Sequence, residues 1–137
     1  MDQIYISDDK AKLDVGLIHD FLTRSYWAEG RTLEEVKSSI QNSICFGIYQ
    51  GKNQIGFARI VTDFTVIAYL MDVFILEQYR GRGYSKSLLK KIFEDERFRN
   101  INKWKLATKD AHSLYAKFGF VKIENPERQM ERVVQHK

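Results

Sequence analysis

A chain of 137 residues with one cysteine, one proline and three histidines has few means of building a disulfide-braced or metal-braced fold. Cys45 has no partner for an internal bridge, and its place in the apolar stretch ICFGIY reads as a packed strand position rather than a nucleophile. His19 and His136 lack companions at ligand spacing, so no metal centre is expected. Apolar runs fall far short of the roughly 20 residues that a membrane span needs, and the opening MDQIYISDDK lacks the basic start and apolar block of a secretion signal. The expectation is a cytoplasmic protein with no membrane partner. Linkers rich in proline, serine or glycine are also missing, which leaves one domain over residues 1–137. Excess charge is small: 22 basic against 18 acidic residues give +4, with no long basic run. A nucleic-acid surface would interleave aromatics with the basic cluster between Arg80 and Lys91 as a stacking platform; that pattern is missing, so no nucleic-acid partner is expected.

What the chain does contain is ample apolar surface, 44% hydrophobic and 13% aromatic residues, arranged in two periods. QIYIS alternates as a short strand, and Leu13, Leu17, Ile18, Phe21 and Leu22 recur at helical spacing behind the capping oxygens of Ser7, Asp8 and Asp9. RSYWAEG, from Arg24 to Gly30, interrupts the period before Thr32 caps a second helix carrying Leu33, Val36 and Ile40, with Glu35 completing a capping box. ICFGIYQ and QIGFARIVTD, joined at GKN, read as a hairpin, and YLMDVFIL predicts a strand over Tyr69 to Leu76. A helix with Leu88, Leu89, Ile92 and Phe93 inward follows, then the strand KWKLAT. Asp110 is the expected N-cap of a helix with Ala111, Leu114, Tyr115 and Phe118 inward, ended by Gly119 and followed by the strand FVKIE. The tail after Pro126 holds one last strand at Met130 to Val134 in this reading. The element order is that of an α+β, or mixed α/β, fold.

Between the strand ending at Leu76 and the next helix lies QYRGRGYS. A strand, a glycine turn and a helix start leave backbone amides pointing outward at the positive end of a helix, which is an anion cradle. Gly81 and Gly83 would let a phosphate approach, with Arg80 and Arg82 beside it; the alternative is a solvated turn in which the glycines serve geometry alone. A nucleotide-triphosphatase loop is a poor fit, because Tyr84 stands where Lys is required before Ser85 and the glycine spacing is too short, and a dinucleotide fold would need a third glycine where Lys86 stands.

Gln78-Tyr79-Arg80-Gly81-Arg82-Gly83 resembles the Q/R-x-x-G-x-G/A signature of the GCN5-related N-acetyltransferases (GNAT), and DAHSLYAKFGF, from Asp110 to Phe120, is similar to their N-x-x-A-L-Y-x-K-x-G-F segment. The resemblance implies a mixed, mostly antiparallel sheet of six to seven strands with about four helices, splayed between the strands ending near Leu76 and Ala107. It implies acetyl-CoA in the opening: the main chain of Met71 and Val73 along the pantetheine arm, one of their amides facing the thioester oxygen, and the amides of Arg80, Gly81, Arg82, Gly83, Tyr84 and Ser85 on the pyrophosphate. Tyr115 would donate a proton to the departing thiolate, and Asp110 would stand by the pantetheine arm. Ser85 replaces the family's usual glycine or alanine, and Asp110 its usual asparagine. The implied function is transfer of an acetyl group to a primary amine of a small molecule or peptide; a non-catalytic acyl-CoA-binding module is the alternative. A homodimer is a further implication, with the tail from Asn125 pairing with a second subunit or packing on its own sheet.

Several side chains have two readings. Asp72, a carboxylate in an apolar strand, is either the base that deprotonates the acceptor amine or a structural partner of Arg59. Arg59 in turn either binds an acceptor carboxylate or pairs with Asp72. Tyr26, Trp27 and Arg31 either line an acceptor pocket or anchor their loop. Tyr115 is an acid by the resemblance and an aromatic core residue by its helical spacing, and His112 is a second titratable candidate better read as a surface or cap residue.

Overall fold

The computed structural model of the chain describes residues 3–134, so His136 lies outside the described residues. β1 (Ile4–Ser7), β2 (Ile44–Gln50), β3 (Asn53–Thr62) and β4 (Ile67–Ile75) pair in that order, all antiparallel, and β5 (Lys103–Lys105) joins β4 in parallel. β2 and β3 are joined through Gly51-Lys52, where Gly51 takes the positive φ of 58° that tight hairpins favour. Helices α1 (Val15–Thr23) and α2 (Leu33–Gln41) lie between β1 and β2, α3 (Tyr84–Phe93) follows β4, and the short α4 (His112–Ala116) follows β5. Thr32 and Glu35 form the reciprocal capping box that their spacing predicts. α1 starts later than expected, because Asp14 accepts from the Leu17 amide while Asp9 caps a separate turn at Lys10–Lys12.

Alternate residues of a strand face opposite sides, and the core divides accordingly. Phe46, Ile48, Ala58 and Ile60 join Leu88, Leu89 and Ile92 of α3 in one buried cluster; Cys45, Phe57 and Phe74 join Ile18 and Leu22 of α1 and Val36 and Ile40 of α2 in another. Both faces of the sheet are thus covered, and Cys45 is a packing residue, as its setting predicts. No helix among the described residues is long and apolar enough to cross a membrane.

The sheet has five strands among the described residues, not six to seven. KWKLAT is strand only over Lys103–Lys105, and neither FVKIE nor Met130 to Val134 forms a strand. A strand exists through its ladder partner, and this part of the chain turns at Asn125 (φ 57°) and Pro126 without a backbone hydrogen bond to β5. β4 spans Ile67–Ile75 rather than Tyr69 to Leu76, because Ile67 through Tyr69 pair with β5. Asp110 does not cap α4: the cap residue is Ala111, whose amide donates to Thr108 Oγ1 at 3.1 Å.

Candidate active site

Parallel pairing of β4 with β5 stops at Tyr69 and Lys105. β4 continues to Ile75, whereas the chain after β5 leaves as the irregular stretch Leu106 to Ala111, and a cavity of about 490 Å³ opens between them. Met71, Asp72 and Val73 line it from β4, Thr108, Asp110 and Tyr115 from the β5–α4 side, and Tyr26, Trp27 and Arg31 from the α1–α2 loop.

β4 bulges at this point. Phe57 pairs with Phe74 and Arg59 with Met71, so Ala58 faces both Asp72 and Val73, and Asp72 has a φ of 56°. Aspartate tolerates that left-handed backbone better than a branched or bulky residue does. The Asp72 carboxylate is fully buried and has three donors: Trp27 Nε1 to Oδ1 at 3.0 Å, and Arg31 Nη1 at 2.8 Å and Arg59 Nε at 2.9 Å, both to Oδ2. Arg59 is spent on this cluster, since its Nη1 donates to Ser43 Oγ at 3.0 Å and its Nη2 meets Met71 Sδ at 3.4 Å. Of its two expected roles, the structure contains the ion pair with Asp72.

Tyr115 stands on α4, nearly buried at 9% exposure, its ring edge-on to Phe120 at 5.9 Å between centroids. Burial, and then the nearby Tyr26 and Asp110, push its phenol up to about 12. Its hydroxyl has no hydrogen-bond partner among the described residues. The turn after β4 is likewise rich in unused donors. Gly81 and Gly83 both take φ of 80°, Gly83 is the N-cap of α3 without a capping side chain, and the amides of Gly81 through Lys86 donate to no acceptor among the described residues. Arg80 is tethered by its Nε to the Ile75 carbonyl at 3.0 Å, and the Arg82 guanidinium lies over the Tyr79 ring at 5.9 Å.

Residues 41–122, more than half of the chain, match the profile of the acetyltransferase (GNAT) domain. The chain belongs to the GNAT acetyltransferase family. A candidate acetyltransferase of the same family from Xanthomonas campestris pv. campestris has a crystal structure with 41% identity and a TM-score of 0.93, over 98% of this chain and 95% of that one. A candidate acetyltransferase of Gibberella zeae is 26% identical over 133 residues, covering 82% of this chain and 75% of the relative. A candidate acetyltransferase of Clostridium acetobutylicum, solved with acetyl-CoA, shares the fold at 18% identity and a TM-score of 0.69, over 97% and 96% of the two chains.

In this acetyltransferase the family match takes in Asp72, the glycine turn and Tyr115 but begins after Tyr26, Trp27 and Arg31. The cavity brings Met71, Asp72, Val73, Asp110 and Tyr115 together with those three; Arg59 and the turn from Arg80 to Ser85 are not part of its lining. Tyr26 and Trp27 both line the cavity and anchor it: the Lys109 amide donates to Tyr26 Oη at 3.2 Å, and Lys109 Nζ sits over the Tyr26 ring at 5.3 Å. His112 is exposed and lines a neighbouring cavity instead. The sequence reading missed Ser43 and Thr108. Thr108, three residues before Ala111, carries the same cap signal that marked Thr32, whereas nothing local links Ser43 to Arg59. Among the described residues no group of three or more His, Cys, Asp or Glu is placed to hold a metal ion.

Proposed function

We propose that this acyltransferase is a single-domain N-acetyltransferase that passes an acetyl group from acetyl-CoA directly to a primary amine bound beside it. The observation that carries the reading is the run of undonated amides from Gly81 to Lys86, one short turn (Glu77–Tyr79) beyond the strand that walls the cavity holding Tyr115. These amides, the α3 dipole and the side chains of Arg80 and Arg82 fit a pyrophosphate, and both positive-φ glycines leave open space where a Cβ would stand. Ser85, half-buried in the first turn of α3, leaves its own amide free, so it fits the cradle despite its larger side chain. The main chain of Met71 and Val73 at the cavity wall would hold the pantetheine arm, and Asp110 borders it. The Clostridium acetobutylicum protein of the same fold, solved with acetyl-CoA, supports that choice of ligand. When bound, acetyl-CoA supplies an activated acetyl thioester.

Tyr115 is the proton donor in this reading, because a phenol pushed up to about 12 keeps its proton at working pH and its hydroxyl is free to give it. Asp72 is a positioning residue: its oxygens already accept from Trp27, Arg31 and Arg59, which holds two acceptor-side residues against the bulge. The acceptor's proton then leaves through water. The test is thermal unfolding with saturating acetyl-CoA, with ATP and NAD as controls, followed by thiol release over a panel of amines. Ligand at about 100 times its dissociation constant adds roughly 2.7 kcal/mol, a shift of several degrees. A shift with acetyl-CoA alone and turnover with an amine is the expected result; a shift with no turnover on any amine points to a binding module, and no shift removes acetyl-CoA from the turn.

A further inference from the structure

Two guanidiniums share the single carboxylate of Asp72. The Asp72 side chain is fully buried, that of Arg59 is 9% exposed and that of Arg31 19%, so the cluster leaves one positive charge at the cavity wall with little water around it. A charge held in this way is stabilised by an opposite charge and by acceptors for its N–H groups. Arg59 has both, since its Nε, Nη1 and Nη2 all have partners in the protein, and it lies outside the cavity lining. Arg31 differs. Its Nη1 is engaged on Asp72, whereas its Nε and Nη2 donate to nothing among the described residues. Those two nitrogens form one edge of the planar guanidinium, the fork that takes both oxygens of a carboxylate. Nearby groups supply no countercharge. Lys109 and Asp110 adjoin on the opposite wall and cancel, and Glu29 and Glu35, which border a separate shallow cleft with Arg31, make no ion pair with it.

We infer that the acceptor is an amine carrying its own carboxylate, an α-amino acid with an apolar side chain, and that Arg31 binds that carboxylate through Nε and Nη2. The inference rests on the reading above, in which the acetyl thioester lies beside Met71 and Val73. Arg31 reaches Asp72, the residue between those two, at 2.8 Å, so the anion site adjoins the reacting carbonyl. A short acceptor whose amine and carboxylate share one carbon spans them. One residual positive charge matches a carboxylate monoanion better than a phosphate dianion. The side chain would lie on the aromatic wall of Tyr26 and Trp27, 57% and 40% exposed and edge-on at 5.2 Å, with Trp27 fixed by its indole N–H on Asp72 at 3.0 Å. In the transfer the amine nitrogen bonds to the acetyl carbon as the carbon–sulfur bond breaks, and Tyr115 gives its proton to the thiolate. Of the two protons the ammonium loses, one restores the phenol and one leaves through water.

The experiment compares L-leucine and L-phenylalanine with their carboxamides, their decarboxylated amines, L-glutamate, L-lysine and phosphoethanolamine. Thiol release from acetyl-CoA is followed for each, and calorimetry measures the binding of each to the protein loaded with CoA. Each apolar amino acid is expected to exceed its amide and its decarboxylated amine by about 100-fold in kcat/KM and in affinity, as loss of one partner from a desolvated charge pair entails. In Arg31→Gln, which leaves Asp72 paired with Arg59, that ratio should fall to near one while the acetyl-CoA-induced thermal shift persists. Amides or decarboxylated amines that match the amino acids overturn the inference, as does a preference for phosphoethanolamine or for a charged side chain. A folded Arg31→Gln that keeps the ratio overturns it too; if that variant fails to fold, the wild-type ratio decides. Failure of the acetyltransferase reading looks different: no thermal shift with acetyl-CoA, or no thiol release with any amine. Calorimetry then still decides the acceptor class, and no binding of either apolar amino acid counts against it.

Discussion

Replacing Tyr115 by phenylalanine removes a hydroxyl with no hydrogen-bond partner among the described residues, so the fold should lose little while the proposed acid is lost. Tyr115→Phe is expected to lower kcat by about 100-fold or more and to leave the acetyl-CoA-induced thermal shift intact, as read by steady-state kinetics beside melting curves. A kcat that matches wild type across the pH range would remove Tyr115 from the chemistry. Asp72 predicts the reverse pattern. Asparagine keeps its shape and tolerance of positive φ, but it sets an amide N–H₂ among three donors and leaves two guanidiniums without their countercharge. Breaking a buried ion pair in this way typically costs about 3–5 kcal/mol, so Asp72→Asn should lower the melting temperature markedly, with activity falling in step. Full stability with activity restored at high pH would instead identify a general base. Of these two residues, the Tyr115 position was legible from its motif; the two cations on Asp72 were only half legible, because Arg59 is its neighbour on the adjacent strand while Arg31 arrives from a distant loop.

Between β4 and α3, conformation is set by two glycines. A Cβ on Gly83 would meet nothing within 4 Å, so Gly83→Ala carries backbone strain alone, about 1–2 kcal/mol for a non-glycine residue held in the left-handed region. The same methyl group would stand where the phosphates are proposed to lie. The variant is therefore expected to melt a few degrees lower and, more tellingly, to show a much smaller stabilisation by acetyl-CoA; differential scanning fluorimetry over a ligand titration checks both. An undiminished ligand shift would argue that the turn does not hold the phosphates. α2 and the β2–β3 hairpin were readable because capping box, turn glycine and apolar period are local signals, whereas the expected caps of α1 and α4 were displaced to Asp14 and Ala111. FVKIE and Met130 to Val134 misled because the pattern of a strand says nothing about whether an edge is available to pair with it.

Across the whole molecule, burial raises three weak acids: Cys45 to about 11, Tyr49 to about 12 and Tyr115 to about 12. In each case the folded chain holds a proton that the unfolded chain releases, above about pH 9 for the thiol and about pH 10 for the phenols. Stability should stay level with respect to these groups below about pH 9 and fall as pH rises, through about 11 for Cys45 and then about 12 for the tyrosines. A rise of this size corresponds to on the order of 3 kcal/mol per group. Urea unfolding at intervals from neutral to alkaline pH measures the slope, and Cys45→Ala should flatten its first part; an identical slope in that variant would show that the thiol does not contribute.

The sequence by itself determined the order of the main strands and helices, the buried role of Cys45, the glycine turn and the membership that its two motifs announce, since each depends on residues close along the chain. Tertiary structure alone decided where β4 and β5 part, after three pairs, that a bulge puts Asp72 at positive φ, and that Trp27 and Arg31 join Arg59 on one carboxylate. Those features join segments 13 to 45 residues apart, and a contact over such separations depends on how strands register and helices pack rather than on any local pattern.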